Sequence, residues 1–468
     1  MDMKNKIIQL MTQEKIPPLC IQVFLSHYKK MLAGEESMIL EQDIQAVAEV
    51  ADMESFADCS IKGQEALKQS VLIKLNGGLG TSMGLEKAKS LLEAKEKLSF
   101  LEIIVKQLIS QRNNFNCALP IVFMNSFRTE ADTCALLHNF PELLQGQKGI
   151  PFSFIQNKVP KILIDNKAPA QWSKDPATTW CPPGHGDIYT SLQTSGLLDQ
   201  LLQQGIKYAF ISNADNLGAS LDLSILGYFA EQDRSFMMEV ADRTEADRKG
   251  GHLAQFANGR LLLRELAQCH TDDSESFQDI HKHKYFNTNN LWLRLDRLKE
   301  HLNIHKGIMD LPLIQNKKHL DPRDSSSPKV IQMETAMGSA ISSFKDSIAI
   351  RISKTRFVPI KTTNELLGLW SNAFILDKDN LIRPNPNRKA HHIIINLDQN
   401  YFKTIDDLKA RFPQGAPDLL KCQKLSISGD VQFGAKVKII GNVTISNESE
   451  NQLVIESGAI LEGELKSL

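Results

Sequence analysis

The chain has 468 residues, 42% of them hydrophobic, and its 54 Lys and Arg against 55 Asp and Glu leave a formal net charge of -1. That length predicts two or three domains with one large core, and the balanced charge gives no electrostatic reason to expect nucleic acid or an anionic membrane as a partner. No run of about 18 apolar residues occurs, the start lacks the apolar stretch of a signal peptide, and seven scattered cysteines without a CxxC pair suit reduced thiols in a cytoplasmic setting rather than a disulfide framework or zinc site.

Residues 1–69 place apolar side chains at helical spacing in MKNKIIQLM and from Ile21 to Met31, which predicts an N-terminal helical region packed on the main domain. From Val71 the pattern changes. VLIKL reads as a short buried strand, followed by the glycine-rich NGGLGTSMG and then by helical-looking sequence around Glu86. Ser99 and Glu102 form a capping-box signature for a helix whose face carries Leu101, Ile104, Val105 and Leu108. LPIVFMNS predicts a second buried strand, and helix resumes at Asp132. FSFI at 152–155 and KYAFI at 207–211 predict two more strands, separated by helical GDIYTSLQTSGLLDQLLQQG. Such alternation predicts an α/β fold with a mostly parallel sheet, which binds ligands beyond the C-terminal ends of its strands.

Further on, HLAQFANGRLLLREL predicts a hairpin with a two-residue turn at Asn258-Gly259. DPRDSSSP, residues 321–328, reads as an exposed loop. From Leu425 an aliphatic residue recurs every six positions, in LSISGD, VQFGAK, VKIIGN and VTISNE, and again in LVIESG and AILEGE. This predicts about two coils of a parallel β-helix, three units to a coil. The expected division is a helical region over 1–69, a catalytic domain over 70–385 and a coiled domain over 386–468, joined through NPNRKAHH.

Five segments carry candidate chemistry. The loop from Leu75, Asn76, Gly77 and Gly78 to Gly84 follows a strand directly, so its backbone can approach a ligand closely. Its spacing departs from the dinucleotide fingerprint, and no Gly-Lys-Ser/Thr closes a P-loop; a tight turn without a ligand is the alternative. Lys89 lies just past the loop, within reach of it, although a solvated lysine-rich face would look the same. Pro182-Pro183-Gly184-His185-Gly186-Asp187 is a rigid polar turn before a helix, suited to holding a phosphate; the bland reading is a satisfied structural histidine, and Cys181 beside it reads as a small core or loop residue. Asp215, in SNADN, ends a strand where one carboxylate can hold one Mg²⁺ with water and substrate phosphates, or merely cap a turn. Lys361, in RFVPIKTTN, closes an extended segment before a helix start.

Taken together, KLNGGLGTSMGLEKAKSLL, FMNSFRTEADT, IQNKVPKI, PPGHGDIYTSL, SNADNLGA, MEVADRTEADRKGGHLA, LLLRELAQC, ESFQDI, FNTNNLWL and RFVPIKTTNELL closely resemble the eukaryotic-type UDP-glucose pyrophosphorylases, that is, UTP–glucose-1-phosphate uridylyltransferases. The resemblance runs in order from about residue 70 to 370. It implies a Rossmann-like nucleotidyltransferase core, N-terminal helices, a C-terminal left-handed parallel β-helix, and UTP and a sugar 1-phosphate as substrates with Mg²⁺ as cofactor. It also implies residue roles. Leu75, Asn76, Gly77 and Gly78 would contact the uracil and ribose side of UTP, with Gln156 and Gly184 also binding nucleotide. Lys89 and Lys361 would face the phosphates, His185 the sugar phosphate, and Asn213 and Asp215 would lie between sugar and metal. Gly251, Glu265, Asn287 and Asn289 would hydrogen-bond sugar hydroxyls. The bacterial-type enzymes carry an Arg in the glycine loop, and this chain has none. A homo-oligomer formed through the tail is a further expectation, since members of the family differ in assembly. Two coils and no histidine after His392 argue against an acyltransferase site in the tail.

Overall fold

The computed structural model describes residues 2–35, 37–322, 324–388 and 393–467. One mixed sheet dominates it. Its strands, in chain order, are β1 (Gln45–Ala46), β2 (Ala51–Asp52), β3 (Ser70–Asn76), β4 (Ile121–Asn125), β5 (Ser153–Ile155), β6 (Tyr208–Asn213), β7 (Phe236–Asp242), β8 (His252–Gln255), β9 (Leu261–Arg264), β10 (Tyr285–Arg294) and β11 (Ile348–Arg351). Across the sheet the order is β2-β11-β7-β10-β6-β3-β4-β5, with β1, β8 and β9 forming a branch on β10. Every neighbouring pair on the main path is parallel except the two that involve β10.

The strand sequences explain the burial. Both β3 and β4 are buried at every position, as apolar β-branched runs covered on both faces should be. Side chains alternate between two cores: Leu72, Phe123 and Phe210 face one, while Val71, Ile73, Val122, Met124, Ala209 and Ile211 face the other. The helix Phe100–Phe115 covers the first face, and its Ser99/Glu102 capping box is formed. The predicted helical stretch after Gly184 forms two helices, Ile188–Thr194 and Leu197–Gln203, divided at Gly196 with φ +76.

Three local expectations are corrected. Residues 1–69 are not helical throughout: helices Met3–Gln13, Pro18–Leu32 and Ser60–Leu67 are separated by extended chain whose β1 and β2 join the main sheet. Strands of two residues are too short to leave a readable period. The segment around Glu86 is not an α-helix but a 3₁₀ turn, Lys89–Leu91, and a small two-stranded unit, Glu93–Lys95 with Leu98–Ser99. Two of its four lysines are drawn inward: Lys89 reaches Asp215 at 2.7 Å, and Lys95 donates to Leu369 O at 2.9 Å and Ser371 O at 2.5 Å. Six positions apart, they would point in different directions on a helix. The β8–β9 hairpin has a three-residue loop, closed by Phe256 N to Arg260 O at 2.9 Å and Gly259 N to Phe256 O at 2.9 Å, with Gly259 at φ +79. A type I turn with a left-handed glycine after it fits Ala-Asn-Gly as well as the two-residue turn does.

The tail is built from parallel strands. Ile394–Leu397, Asp418–Ser428, Lys438–Asn447 and Ile460–Ser467 stack in that order, and Val431–Phe433 pairs with Leu453–Ile455 on a second face. Leu425 stacks on Val443 and Ile427 on Ile445, a step of three hexapeptides in each case. The joint at NPNRKAHH lies partly outside the described residues. One continuous core runs from Phe100, Leu366 and Leu369 into Phe402, Leu408, Leu419, Leu425 and Ile445.

Candidate active site

A cleft of about 310 Å³ opens beyond the C-terminal ends of β3, β4, β5 and β6, where a parallel sheet presents ligand sites. Its lining includes Leu75, Asn76, Gly77, Gly78, Lys89, Gln156, Gly184, His185, Asn213 and Asp215. The glycine loop turns through Gly80, φ +67, and Gly84, φ +78, and is closed by Lys89 N donating to Gly78 O at 3.0 Å. That closure delivers the Lys89 side chain into the cleft. A β-carbon on Gly77 would lie 2.2 Å from Gln156 Nε2, so glycine here lets Gln156 lie flat against the loop. Asn76 sends its amide away from the cleft, to Asn125 Oδ1 and Thr133 Oγ1, both at 2.8 Å. With Nδ2 so engaged, its main chain and Oδ1 are what remain for a ligand.

Gly184 has φ +80, and a β-carbon there would meet Thr335 O at 2.5 Å. The turn it permits is clamped on the 335–337 segment: Thr335 N donates to Pro183 O at 2.9 Å, Gly186 N to Thr335 O at 2.8 Å, and Met337 N to His185 Nδ1 at 3.0 Å. With Nδ1 accepting, the neutral ring carries its proton on Nε2 and offers a donor. Burial, reinforced by Lys361, pushes His185 down to about 4, so the ring is neutral at physiological pH. Asp187, the last residue of the motif, is buried and holds Asn157 through Asn157 N at 2.7 Å and Asn157 Nδ2 at 3.0 Å. It thereby fixes the chain next to Gln156. Burial pushes its carboxyl up to about 7. Cys181 is buried, its thiol pushed up to about 12 by burial, so it is an inert packing residue.

A stability prediction follows from His185. The unfolded ring has a pKa near 6.5 and the folded one near 4, so between those values only the unfolded chain takes up the proton. Stability from this group is complete above about pH 6.5 and falls as pH drops toward 4. The ring is partly exposed at the cleft wall, so the loss should be about 2 kcal/mol or less. Chemical denaturation at pH 7 and pH 4.5 should show this difference shrinking in His185→Gln.

Asp215 is the electrostatic centre. Its Oδ2 takes Lys89 Nζ at 2.7 Å and Lys361 Nζ at 3.5 Å, and its Oδ1 is buried with no hydrogen-bond partner. Burial alone would raise this carboxyl, but Lys361 and Lys89 outweigh it and hold it below the ordinary value. Lys89 also donates to Ile360 O. Lys361 stands immediately before the helix Thr363–Trp370, whose Thr362/Glu365 capping box is formed. One carboxylate thus carries two cations, so this group of three keeps one positive charge in excess, and Glu334 in the cleft lining faces it with one negative charge. Gly78, Asp215 and Lys361 therefore converge on one edge of the sheet.

The four sugar-side candidates also come together, beside the cleft rather than in its lining. β10 runs antiparallel, so its start lies at the same edge as the end of β6. A bulge at 288–289 and Asn289 φ +57 turn Asn287 and Asn289 toward each other, with Asn287 Nδ2 donating to Asn289 Oδ1 at 2.8 Å. Asn287 N donates to Gly251 O at 3.0 Å, and a β-carbon on Gly251 would lie 2.4 Å from Glu265 Oε2. Glu265 is raised above its ordinary value by burial. Gly338, whose β-carbon position is 2.9 Å from Asn287 Nδ2, follows the Met337 that bonds His185.

Sequence reasoning missed Ser90, Met124, Gln332 and Glu334 in the cleft wall. The Ser90 hydroxyl is buried without a partner. Gln332 and Glu334 lie on the strand Lys329–Glu334 and alternate with buried Ile331 and Met333, a period of two that could have been read. The N-terminal helices brace this wall, since Ile7, Met11, Phe24 and Met31 share a core with Ile331 and Met333.

A glycine loop, a lysine pair shared by one strand-end carboxylate, and a neutral histidine, all at the ligand edge of an α/β sheet, define a nucleotidyltransferase class of site. Residues 21–440 match the family described as UTP--glucose-1-phosphate uridylyltransferase, and the chain belongs to that family. It is 37% identical over 450 residues to the UTP--glucose-1-phosphate uridylyltransferase of Hordeum vulgare, covering 94% of this chain and 91% of that one. It is 34% identical to the Encephalitozoon cuniculi protein of the same name, covering 95% and 87%. Among solved structures, a Trypanosoma brucei UDP-glucose phosphorylase superposes with TM-score 0.91 at 40% identity, covering 99% of each chain. A Leishmania major UDP-glucose pyrophosphorylase mutant in complex with UDP-glucose gives TM-score 0.91 at 39% identity, covering 100% of this chain and 99% of that one.

Proposed function

We propose that the protein transfers the uridylyl group of UTP to glucose 1-phosphate, giving UDP-glucose and pyrophosphate. The observation that carries this reading is the convergence of Lys89, Asp215 and Lys361 beside the glycine loop. An oxygen of glucose 1-phosphate attacks the α-phosphorus of UTP in line; the bond to the bridging oxygen breaks, and its electron pair leaves with pyrophosphate. A phosphate monoester has a second pKa near about 6, so the nucleophile is already ionised and no general base is required. What the protein must do is hold two anions together. Lys89 and Lys361 offset their repulsion and stabilise charge on the phosphoryl oxygens. The glycine loop and Gln156 orient the uracil and ribose, His185 donates from Nε2 to the sugar phosphate, and Asn213 would lie between the sugar and a cation held at Asp215. Gly251, Glu265, Asn287 and Asn289 receive the sugar hydroxyls.

The residues fit a divalent cation such as Mg²⁺: the unpartnered, buried Oδ1 of Asp215 is an acceptor without a donor. No group of three or more His, Cys, Asp or Glu suited to a metal occurs among the described residues, so substrate phosphates and water would complete the coordination. When bound, the cation would neutralise phosphate charge.

The test is to incubate purified protein with UTP, Mg²⁺ and a panel of sugar 1-phosphates and follow pyrophosphate release. Glucose 1-phosphate should be the best acceptor; a clear preference for galactose or N-acetylglucosamine 1-phosphate would reassign the sugar, and no release with any acceptor would defeat the reading.

The finer organisation belongs to the same proposal. The division at 385/386 is supported by the change to stacked parallel strands in the tail, the division at 69/70 rests on the helices Met3–Gln13 and Pro18–Leu32, and the left-handed sense of the tail coil rests on the family resemblance. A cytoplasmic location is supported by seven free cysteines and by the lack, among the described residues, of a helix long and apolar enough to cross a membrane. A homo-oligomer through the tail is supported by Val454 and Ile460, exposed on its last coil.

A further inference from the structure

We infer that Asn216 is a positioning residue for transfer: it sets the separation of Asp215 from Lys361 and so the placement of both charges. The inference rests on the roles proposed above for those two residues.

Asp215 and Lys361 are far apart in sequence and lie on different elements. Asp215 follows β6, whereas Lys361 ends an extended segment, 356–360, that belongs to no strand of the main sheet. Asn216 is what fastens one to the other. Its Oδ1 accepts Val358 N at 2.9 Å, and its Nδ2 donates to Arg356 O at 3.2 Å and Asn290 Oδ1 at 3.3 Å. Its backbone pairs with Pro359 as an isolated bridge, and Ile360 N donates to Asp215 O at 3.2 Å. Asn216 is 1% exposed, so these bonds form in a site screened from water.

The fastening is itself held rigid from below. Arg356, at the head of the segment, bonds Glu239 twice, Nε to Oε2 at 3.1 Å and Nη2 to Oε1 at 2.8 Å. Glu239 also accepts Trp292 Nε1 at 3.0 Å and Asn290 Nδ2 at 2.9 Å. The partner of Asn216 on β10 is thus fixed by the same carboxylate that fixes the segment. Neither Asn216 nor Glu239 lines the cleft, so Asn216 acts through the residues it spaces. An amide suits the task because it accepts from one peptide and donates to another at once. Loss of the side chain frees Val358 N–H and lets the segment drift, and a drift of about 1 Å can cost about a hundredfold in rate.

The experiment is a double-mutant cycle with steady-state kinetics and thermal melts, in the full-length protein with UTP, Mg²⁺ and glucose 1-phosphate. Asn216→Ala should lower kcat about thirtyfold or more, with both KM values within about twofold. In a Lys361→Ala background the same change should cost less than about threefold, because there is no longer a cation to position. Asn216→Ser, whose hydroxyl can accept and donate without placing a charge in this buried site, should recover part of the lost turnover and serves as the folded control should Asn216→Ala melt early. Losses that multiply in the double mutant, or a change confined to melting temperature and KM, would overturn the inference. A Lys361→Ala variant with normal turnover would instead defeat the proposed role of Lys361 itself.

Discussion

Asp215→Ala should lower UDP-glucose formation by about a thousandfold or more, and added Mg²⁺ should not restore it. Two consequences of the geometry add together. The substitution removes Oδ1, a buried carboxylate oxygen with nothing to accept from. It also leaves Lys89 and Lys361 without the anion that draws them together at 2.7 and 3.5 Å. The lysines should then splay apart and bind phosphate in unproductive positions. UTP binding should therefore survive while turnover is lost, which equilibrium dialysis and pyrophosphate release can separate. A Mg²⁺ titration curve like that of the unaltered protein would refute the assignment.

Lys361→Ala is expected to cut kcat about a hundredfold or more with almost no change in melting temperature. Its side chain is 59% exposed, and Asp215 is its ion-pair partner, so the fold has little invested in it; an exposed pair of this kind contributes about 1 kcal/mol or less. Lys89 differs. It is 14% exposed, pairs with Asp215 at the shorter distance and also donates to Ile360 O, so its removal would disturb structure and rate together. The clean kinetic test is therefore Lys361. Near-normal uridylyl transfer by Lys361→Ala would remove it from the mechanism.

The strand-end motifs were legible because their signals are local. VLIKL before the glycine loop and KYAFI before SNADN are apolar runs that stop where polar residues begin, and β3 and β6 end at Asn76 and Asn213. The capping box at Ser99/Glu102 likewise depends on residues three apart. The failures are long-range. Residues 85–97 have helix-forming composition, yet two lysines drawn to different partners pull the chain out of a helix. The purpose of Arg356 and Glu239 was invisible because a buried ion pair is made across the sheet, 117 positions apart. Asn76 lines the cleft as its place in the motif suggests, but that its Nδ2 is tied to Asn125 and Thr133 is announced by no spacing in the sequence.

The shared core of the tail has a practical meaning for anyone who cuts or fuses this chain. A stop codon near residue 400 would strip cover from Leu366, Leu369 and Phe100, which pack in one cluster with Leu408, Leu425 and Ile445. Such a fragment would present a greasy wound and clump. The last strand, Ile460–Ser467, is mostly solvent-facing, so the fold tolerates a short tag after it, whereas a bulky fusion would block pairing of tails through Val454 and Ile460.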